Sequence, residues 1–317
     1  LHALLEHARL EKLASQRVDS APGAPHGFVL GAALGELARR GRDKLTLLPG
    51  PELASLGDWV EQLVAESTGK RGVGIVPVVR ERAGRPEDYG DDRVFVSFAA
   101  AALPVDLDAA LTALSNAGHP VLRWRHDSAG APGAEFLRWE IATATAAAIL
   151  DVNPFDEPNV SEAKAATLAV LGRNAPLPSP ESSPDADDGS RLLELLASAR
   201  PGDYFAILAF LHRTVDIDDR LQSLRRQIGR AARLATTLGL GPRYLHSTGQ
   251  LHKGGADTGI FLLHTKQSDD VPVPGESFGF GGLIAAQAAG DREVLERHRR
   301  RVVHLDLGAR PVEALER

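Results

Sequence analysis

The sequence lacks cysteine entirely, and it also lacks any long hydrophobic run. Without cysteine, the 317-residue chain can form no disulfide, no thiolate nucleophile and no zinc–cysteine site, which suits a reducing compartment. A membrane-spanning helix needs roughly 18 consecutive apolar residues, and no segment approaches that length. These absences predict a cytoplasmic protein that does not associate with a membrane.

Methionine is also absent, and the first residue is Leu1. For a chain of this length, the absence indicates either a piece of a longer polypeptide or a sequence from which modified methionines are missing.

An excess of basic residues is missing as well. The chain has 42 Asp and Glu against 36 Lys and Arg, a formal net charge of -6, and its basic residues are interspersed with acidic ones. Proteins that bind nucleic acid usually carry a basic face. We therefore expect no nucleic-acid partner.

Helical and strand-like apolar patterns alternate along the chain. Apolar spacing near 3.6 predicts helices over 1–13, 30–39, 53–64, 107–114, 135–150, 161–171, 192–199 and 221–238. Short β-rich runs predict strands over 44–48, 73–79, 94–98, 121–124, 204–210, 260–264 and 302–307. This order predicts an α/β fold with a mostly parallel sheet layered between helices, and functional residues at the junctions between elements.

One segment interrupts this alternation. Residues 175–190 are rich in Pro, Ser and acidic side chains and too poor in apolar groups to pack. They predict a linker between an α/β region at 1–174 and a second α/β region at 191–317, which completes the same domain.

The segment 244–255 concentrates polar functional groups between glycines. It contains His246, Gln250, His252 and Lys253, together with two hydroxyl side chains. Glycines let a backbone approach a ligand closely, and an imidazole can titrate near neutral pH. We predict a substrate-binding loop in which all four residues act. The simpler alternative is a polar loop with solvated histidines.

A second candidate lies at the end of the predicted helix 53–64 and just beyond it. Gln62 and Glu66 are four residues apart, which places them on one face if the helix continues. A carboxylate there meets the negative end of the helix dipole, which favours its protonated form and suits a general base. The alternative is an exposed Glu before a Gly cap.

A metal site is the weaker interpretation of the histidines. His246, His252 and His264 could bind a metal with Asp257, but intervals of six and twelve residues fit no regular helical face. We predict no metal. A carboxylate base and an imidazole suffice for aldose–ketose interconversion, which moves a proton between adjacent carbons through an enediol.

Several phrases together resemble the phosphoglucose isomerase family, particularly the form fused behind a transaldolase in bifunctional bacterial proteins. The matching phrases are 31–38, 43–46, 65–70, 153–160 and 244–255, and the similarity extends over nearly the whole chain. The resemblance implies a sugar-isomerase (SIS) type fold in both α/β regions, no cofactor, and interconversion of glucose 6-phosphate and fructose 6-phosphate. That reaction serves glycolysis, gluconeogenesis and the pentose phosphate pathway.

The resemblance also implies residue roles. Glu66 falls on the family's Glu-Ser-small-Gly-Lys motif as the enediol base, with Gln62 as a substrate contact. His246 corresponds to the ring-opening acid/base, which in the family comes from a neighbouring subunit. A homodimer, and a transaldolase domain in the same polypeptide, are therefore expected.

The chain departs from the family at two places. The family's Lys near the ring oxygen aligns with Ile284, with Ser277 at the preceding Gln, and the family's phosphate-binding segments are not found. A non-catalytic module for sugar-phosphate binding or assembly is therefore the alternative. The transaldolase half itself would need a Schiff-base Lys on a barrel strand, which the sequence does not indicate.

Overall fold

A computed structural model describes residues 1–16, 26–126, 131–172, 188–266, 270–308 and 310–315 of the chain. The helices within these ranges are α1 (His2–Ser15), α2 (Gly27–Arg39), α3 (Ala54–Thr68), α4 (Val105–Asn116), α5 (Ala131–Ile149), α6 (Pro158–Gly172), α7 (Asp188–Ala197), α8 (Val215–Ala232), α9 (Gly249–Gly254), α10 (Phe280–Arg297) and α11 (Pro311–Ala314). The strands are β1 (Lys44–Leu47), β2 (Val76–Val78), β3 (Arg93–Ala99), β4 (Val121–Arg125), β5 (Tyr204–Phe210), β6 (Ala235–Leu240), β7 (Gly259–Thr265) and β8 (Arg301–Asp306). None of these helices is long and apolar enough to cross a membrane.

The chain divides into two compact units. The first contains residues 1–156 with 254–256, and the second contains 157–253 and 257–317. The division falls earlier than the boundary at 174 that composition predicted, because α6 packs against α10 within the second unit. Most of the predicted linker, 175–187, lies outside the described residues, and 188–190 form the first turn of α7 rather than linker.

The first unit contains a parallel sheet with strand order β2-β1-β3-β4. Lys44 at the start of β1 is level with Val76 on one side and Arg93 on the other. All residues of β1, β2 and β3 are buried, as expected for parallel strands that are covered on both faces. The core joins these strands to α2, α3 and α5 through residues such as Leu30, Val60 and Trp139.

The second unit repeats the architecture with strand order β6-β5-β7-β8, again parallel. Every residue of β5 is buried, and its core includes Ile207, Leu262 and Ile228. The α/β class is therefore confirmed, although the described residues form two sheets of four strands each instead of the single predicted sheet.

The prediction of one helix over 221–238 was wrong. Helix α8 ends at Ala232, Arg233 adopts the left-handed conformation with φ of 54°, and β6 follows. The β-branched Thr236 and Thr237 favour a strand, while the apolar residues around them continued a helix-like spacing. The chain has no glycine directly after α8 to signal its end, which is why periodicity alone missed β6. Periodicity also missed α10.

Helices α2 and α5 approach each other closely at Gly31 of α2. A Cβ added at Gly31 would lie 2.3 Å from the carbonyl oxygen of Ala142 and 2.6 Å from Cβ of Thr145. A side chain there cannot be accommodated unless the two helices separate.

We expect Gly31→Ala to lower the free energy of unfolding by about 2 kcal/mol, since overpacking of this kind typically costs 1–3 kcal/mol. Gly57→Ala is the matched control, because it is also a helix-interior glycine and its added Cβ would meet only Pro49, at 3.8 Å. The control should raise stability by roughly 0.5–1 kcal/mol. Urea unfolding measures both, and equal effects would contradict the close approach.

Candidate functional site

The last two turns of α3 carry the first pair of predicted site residues. Gln62 is exposed and Glu66 is half-buried. The Gln62 Nε2 atom donates a hydrogen bond of 3.4 Å to Oε2 of Glu66. The helix runs on to Thr68, so the expected shared face is confirmed. The carboxylate lies at the edge of the unit, with solvent access and an amide beside it.

The end of α3 is tied to the start of β2. The Thr68 hydroxyl donates to the carbonyl of Val64 at 2.7 Å and accepts from the Ile75 amide at 3.0 Å. Because α3 connects two neighbouring parallel strands, it runs opposite to them. Glu66 therefore lies at the edge of the sheet where the strands begin, whereas ligands of open α/β sheets usually bind where strands end.

Lys70 holds the chain segment that follows α5, a role that sequence reasoning missed. Its side chain is almost fully buried, and Nζ donates to the Asn153 carbonyl at 2.8 Å and pairs with Oδ1 of Asp156 at 2.9 Å. A further short contact reaches the Asp156 carbonyl. The Lys70 hydrogen bond lowers the pKa of the Asp156 carboxyl. Lys70, four residues after Glu66 along the chain, thus anchors the segment 153–156.

His246 lies in the second unit, just beyond the end of β6. It is the last residue of a 3₁₀ turn, Arg243–His246, and α9 begins three residues later. The segment is therefore partly helical, in contrast to the expected loop, and it follows a strand rather than a helix. Between residues 244 and 253, all of which are described, His246 is the one exposed residue. It occupies the usual ligand-binding edge of a parallel sheet.

The other predicted residues of this segment point inward. Gln250, His252 and Lys253 are 0%, 2% and 2% exposed. The Gln250 carboxamide accepts from the Asn159 backbone amide at 2.9 Å and donates to the Asn159 side-chain oxygen at 2.8 Å, which anchors the first turn of α6. In this structure the three side chains are enclosed by their own unit. Direct contact between them and a substrate therefore stays a prediction.

His252 is packed among aromatic rings. Its Nδ1 atom is 2.9 Å from the hydroxyl of Tyr204, whose ring stacks on the imidazole at 5.9 Å, and Phe261 meets it edge-on at 5.0 Å. The Nε2 atom is buried without a hydrogen-bond partner. Burial, reinforced by the charge of Lys253, holds the pKa of His252 well below its usual value, so the ring is neutral.

Lys253 belongs to a buried network with Tyr244 and Asp291. The Lys253 Nζ atom forms an ion pair of 2.5 Å with Oδ1 of Asp291 and a 3.3 Å hydrogen bond to the carbonyl of Gly249. The Tyr244 hydroxyl donates to Oδ2 of Asp291 at 2.6 Å. Nothing in the sequence linked Asp291 to this segment, 38 residues away from Lys253 along the chain.

His264, the third histidine of the rejected metal site, lies inside β7. Both of its ring nitrogens are buried without a hydrogen-bond partner, and burial lowers its pKa to about 4, with a smaller effect from His304. Among the described residues, no group of three or more His, Asp or Glu side chains is placed to hold a metal.

The first unit contains a groove of about 580 Å³, and none of the predicted site residues lines it. Asp43 and the turn 72–74, which precede β1 and β2, contribute to its wall. Burial raises the pKa of Asp43, although its Oδ1 is only 2.6 Å from Nζ of Lys44. Neither Gln62 nor Glu66 lines the groove. The groove is therefore separate from the Gln62–Glu66 pair, although both lie at the edge where the strands of the first sheet begin.

The chain is similar in sequence to a glucose-6-phosphate isomerase of Rubrobacter xylanophilus. The two are 31% identical over 191 residues, a match that covers 48% of this chain and 44% of the relative. The matched chain thus spans less than half the length of that curated relative. No family model matches the chain.

The similarity of this chain to solved structures is low. A hypothetical protein from Thermus thermophilus has a TM-score of 0.32 at 17% identity, covering 99% of this chain and 87% of that one. The C-terminal domain of glucosamine-fructose-6-phosphate aminotransferase from Francisella tularensis has a TM-score of 0.31 at 12% identity, covering 99% and 89%. The α/β class of this chain follows from its two parallel sheets.

The buried state of His264 predicts a pH-dependent stability. The unfolded chain binds a proton at this ring below pH 6.5, but the folded chain does so only near pH 4, so stability falls as pH falls through this window. The contribution of this ring is at most about 1.4 kcal/mol per pH unit. His264→Leu should remove it, whereas the exposed His212→Leu should not. Urea unfolding between pH 7 and 4.5 tests this, and identical slopes for both variants would refute it.

Proposed function

We propose that this chain is the isomerase part of a larger transaldolase/isomerase polypeptide, and that it interconverts glucose 6-phosphate and fructose 6-phosphate. The observation that carries the proposal is the exposure pattern of the segment 244–253, where His246 alone faces solvent. The partial sequence similarity to a glucose-6-phosphate isomerase supports the same reaction.

Glu66 acts as the carbon base in this proposal. The carboxylate removes the proton from C2 of the open-chain aldose while the carbonyl oxygen at C1 gains a proton, which forms an enediol. The proton then returns to C1 as the hydroxyl at C2 becomes a carbonyl. Gln62 supports this role because its amide nitrogen already hydrogen-bonds the carboxylate and can orient it or contact a sugar hydroxyl.

His246 opens the sugar ring in this proposal. Ring opening transfers one proton to the ring oxygen and removes one from the anomeric hydroxyl, and an imidazole can give and accept protons near neutral pH. His246 would serve the hexose of a neighbouring subunit in a homodimer. The substrate is then a hexose phosphate, and the reaction needs no metal or organic cofactor.

A non-catalytic sugar-phosphate-binding module is the second candidate. The observation that favours it is Ile284, which aligns with the family's Lys and lies half-buried on α10, where it offers no proton. The two functions differ in one measurement. Exchange of the C2 proton into deuterated water supports the isomerase, and sugar-phosphate binding without exchange supports the module.

We expect Glu66→Gln, made in the full-length polypeptide, to lower turnover roughly 10²–10⁴-fold with little change in sugar-phosphate binding, since general base catalysis contributes about this factor. Glu36→Gln is the matched control, because Glu36 is another helical glutamate with solvent access, and its carboxylate pairs with Arg39 and Arg40 on the surface of α2. Coupled turnover assays and C2-proton exchange measure the effect. Undiminished exchange in the Glu66 variant would reject the role of this carboxylate.

We expect His246→Gln to lower turnover of the cyclic hexose phosphates roughly 10²–10⁴-fold as well, because the amide cannot transfer protons. His298→Gln, which changes an exposed histidine of the second unit at the opposite edge of the sheet, next to the start of β8, should stay at the wild-type rate. Steady-state kinetics measures both variants. Turnover within twofold of wild type in the His246 variant would exclude the imidazole from ring opening.

A further inference from the structure

A single carboxylate contacts both ends of the segment that carries His246. Tyr244 begins this segment and Lys253 ends it. The hydroxyl of Tyr244 donates to Oδ2 of Asp291 at 2.6 Å, and Nζ of Lys253 lies 2.5 Å from Oδ1 of the same residue. Asp291 belongs to α10, so the two ends of the segment are joined through one helix position.

These three groups are deeply buried, so their pairing is strongly constrained. The side chains of Lys253 and Asp291 are each 1% exposed, and Tyr244 is 1% exposed. Burial of a charged group is costly unless a counter-charge and hydrogen bonds compensate it, so neither Lys253 nor Asp291 can leave the other. Burial and the neighbouring Asp291 raise the pKa of Tyr244, which therefore keeps its proton and donates it to the carboxylate.

Between these ends, backbone hydrogen bonds define the shape of the segment. The Ser247 amide donates to the carbonyl of Tyr244 at 3.0 Å, and the His252 amide donates to the carbonyl of Thr248 at 2.9 Å. His246 itself is exposed, so its direction follows from the backbone turn rather than from packing around the ring. A turn held at both ends by one buried anion fixes the direction in which the Cα–Cβ bond of its exposed residue leaves the backbone, and the imidazole takes its rotamers from there.

We propose that Asp291 is a positioning residue that, by holding Tyr244 and Lys253 together, fixes the point and direction from which the His246 side chain leaves the backbone. The inference rests on the proposed function only for the role of His246 in ring opening. The geometric part, that the carboxylate fixes where the His246 side chain leaves the backbone, holds for any ligand of this segment.

The first test is Tyr244→Phe in the full-length polypeptide. It removes one contact to Asp291 and keeps the ring that packs on Phe210 at 5.6 Å. We expect kcat to fall roughly tenfold with KM unchanged, since hydrogen bonds to charged groups contribute about this factor. Tyr89→Phe is the control, because it also removes the hydroxyl of a buried tyrosine; that hydroxyl accepts a hydrogen bond from the Gly84 amide in the first unit. Equal kcat values for the two variants would overturn the proposal.

The second test combines Tyr244→Phe, and separately Tyr89→Phe, with His246→Gln. If Tyr244 acts only through the imidazole, Tyr244→Phe should lower kcat no further in the His246→Gln background, although it still lowers thermal stability. The same fold-loss in both backgrounds would assign Tyr244 and Asp291 a purely structural role. Asp291→Asn extends the series, with an expected loss of roughly a hundredfold if the variant folds.

A third measurement separates this inference from the proposed function. Imidazole nuclear magnetic resonance signals of His246, assigned by their loss in His246→Gln, should shift and broaden in Tyr244→Phe but not in Tyr89→Phe. If His246→Gln keeps wild-type turnover, the proposed function fails, and these signals still decide the positioning claim. An unchanged His246 signal in Tyr244→Phe would overturn the proposal that Asp291 positions His246.

Discussion

Burial of parallel strands on both faces is the constraint on which the rest of this structure depends. Every residue of β3 and of β5 is buried, so these central strands have no side chain available for chemistry. Groups that act on a ligand must therefore lie where elements begin or end. Glu66, near the end of α3, and His246, just after β6, both obey this rule. Glu66 lies at the edge of its sheet where strands begin, and His246 lies at the edge of its own sheet where a strand ends.

Buried charged side chains are a second constraint on the fold, and each unit has its own set of them with their partners. In the first unit, Glu135 is fully buried and accepts hydrogen bonds from Trp124 Nε1 at 2.7 Å and Trp139 Nε1 at 3.1 Å, while Arg138 bridges it to Glu11 of α1. In the second unit, Asp291 serves Tyr244 and Lys253. Such groups are costly to bury unless every partner is present, so they define unique arrangements of the helices around them.

Sequence patterns located several features through local physics. A spacing of four residues placed Gln62 beside Glu66, and the structure has the hydrogen bond between them. The runs of β-branched and apolar residues located seven of the eight strands in the described part of the chain. Strand β6 was missed because α8 ends at the left-handed Arg233, where no glycine marks the end of the helix. The anchoring by Lys70 and Asp291 was also missed, since their partners are remote in sequence.

The sequence by itself determined the α/β class, the pairing of Gln62 with Glu66 and the concentration of polar groups at 244–255, because periodicity and local spacing are properties of neighbouring residues. Only the tertiary structure decided which of those polar groups face outward. Gln250, His252 and Lys253 share a segment and a chemistry with His246, yet they are buried against Asn159, Tyr204 and Asp291, respectively. Their partners come from α6, β5 and α10, and no local pattern records a contact between residues that meet only when the chain has folded.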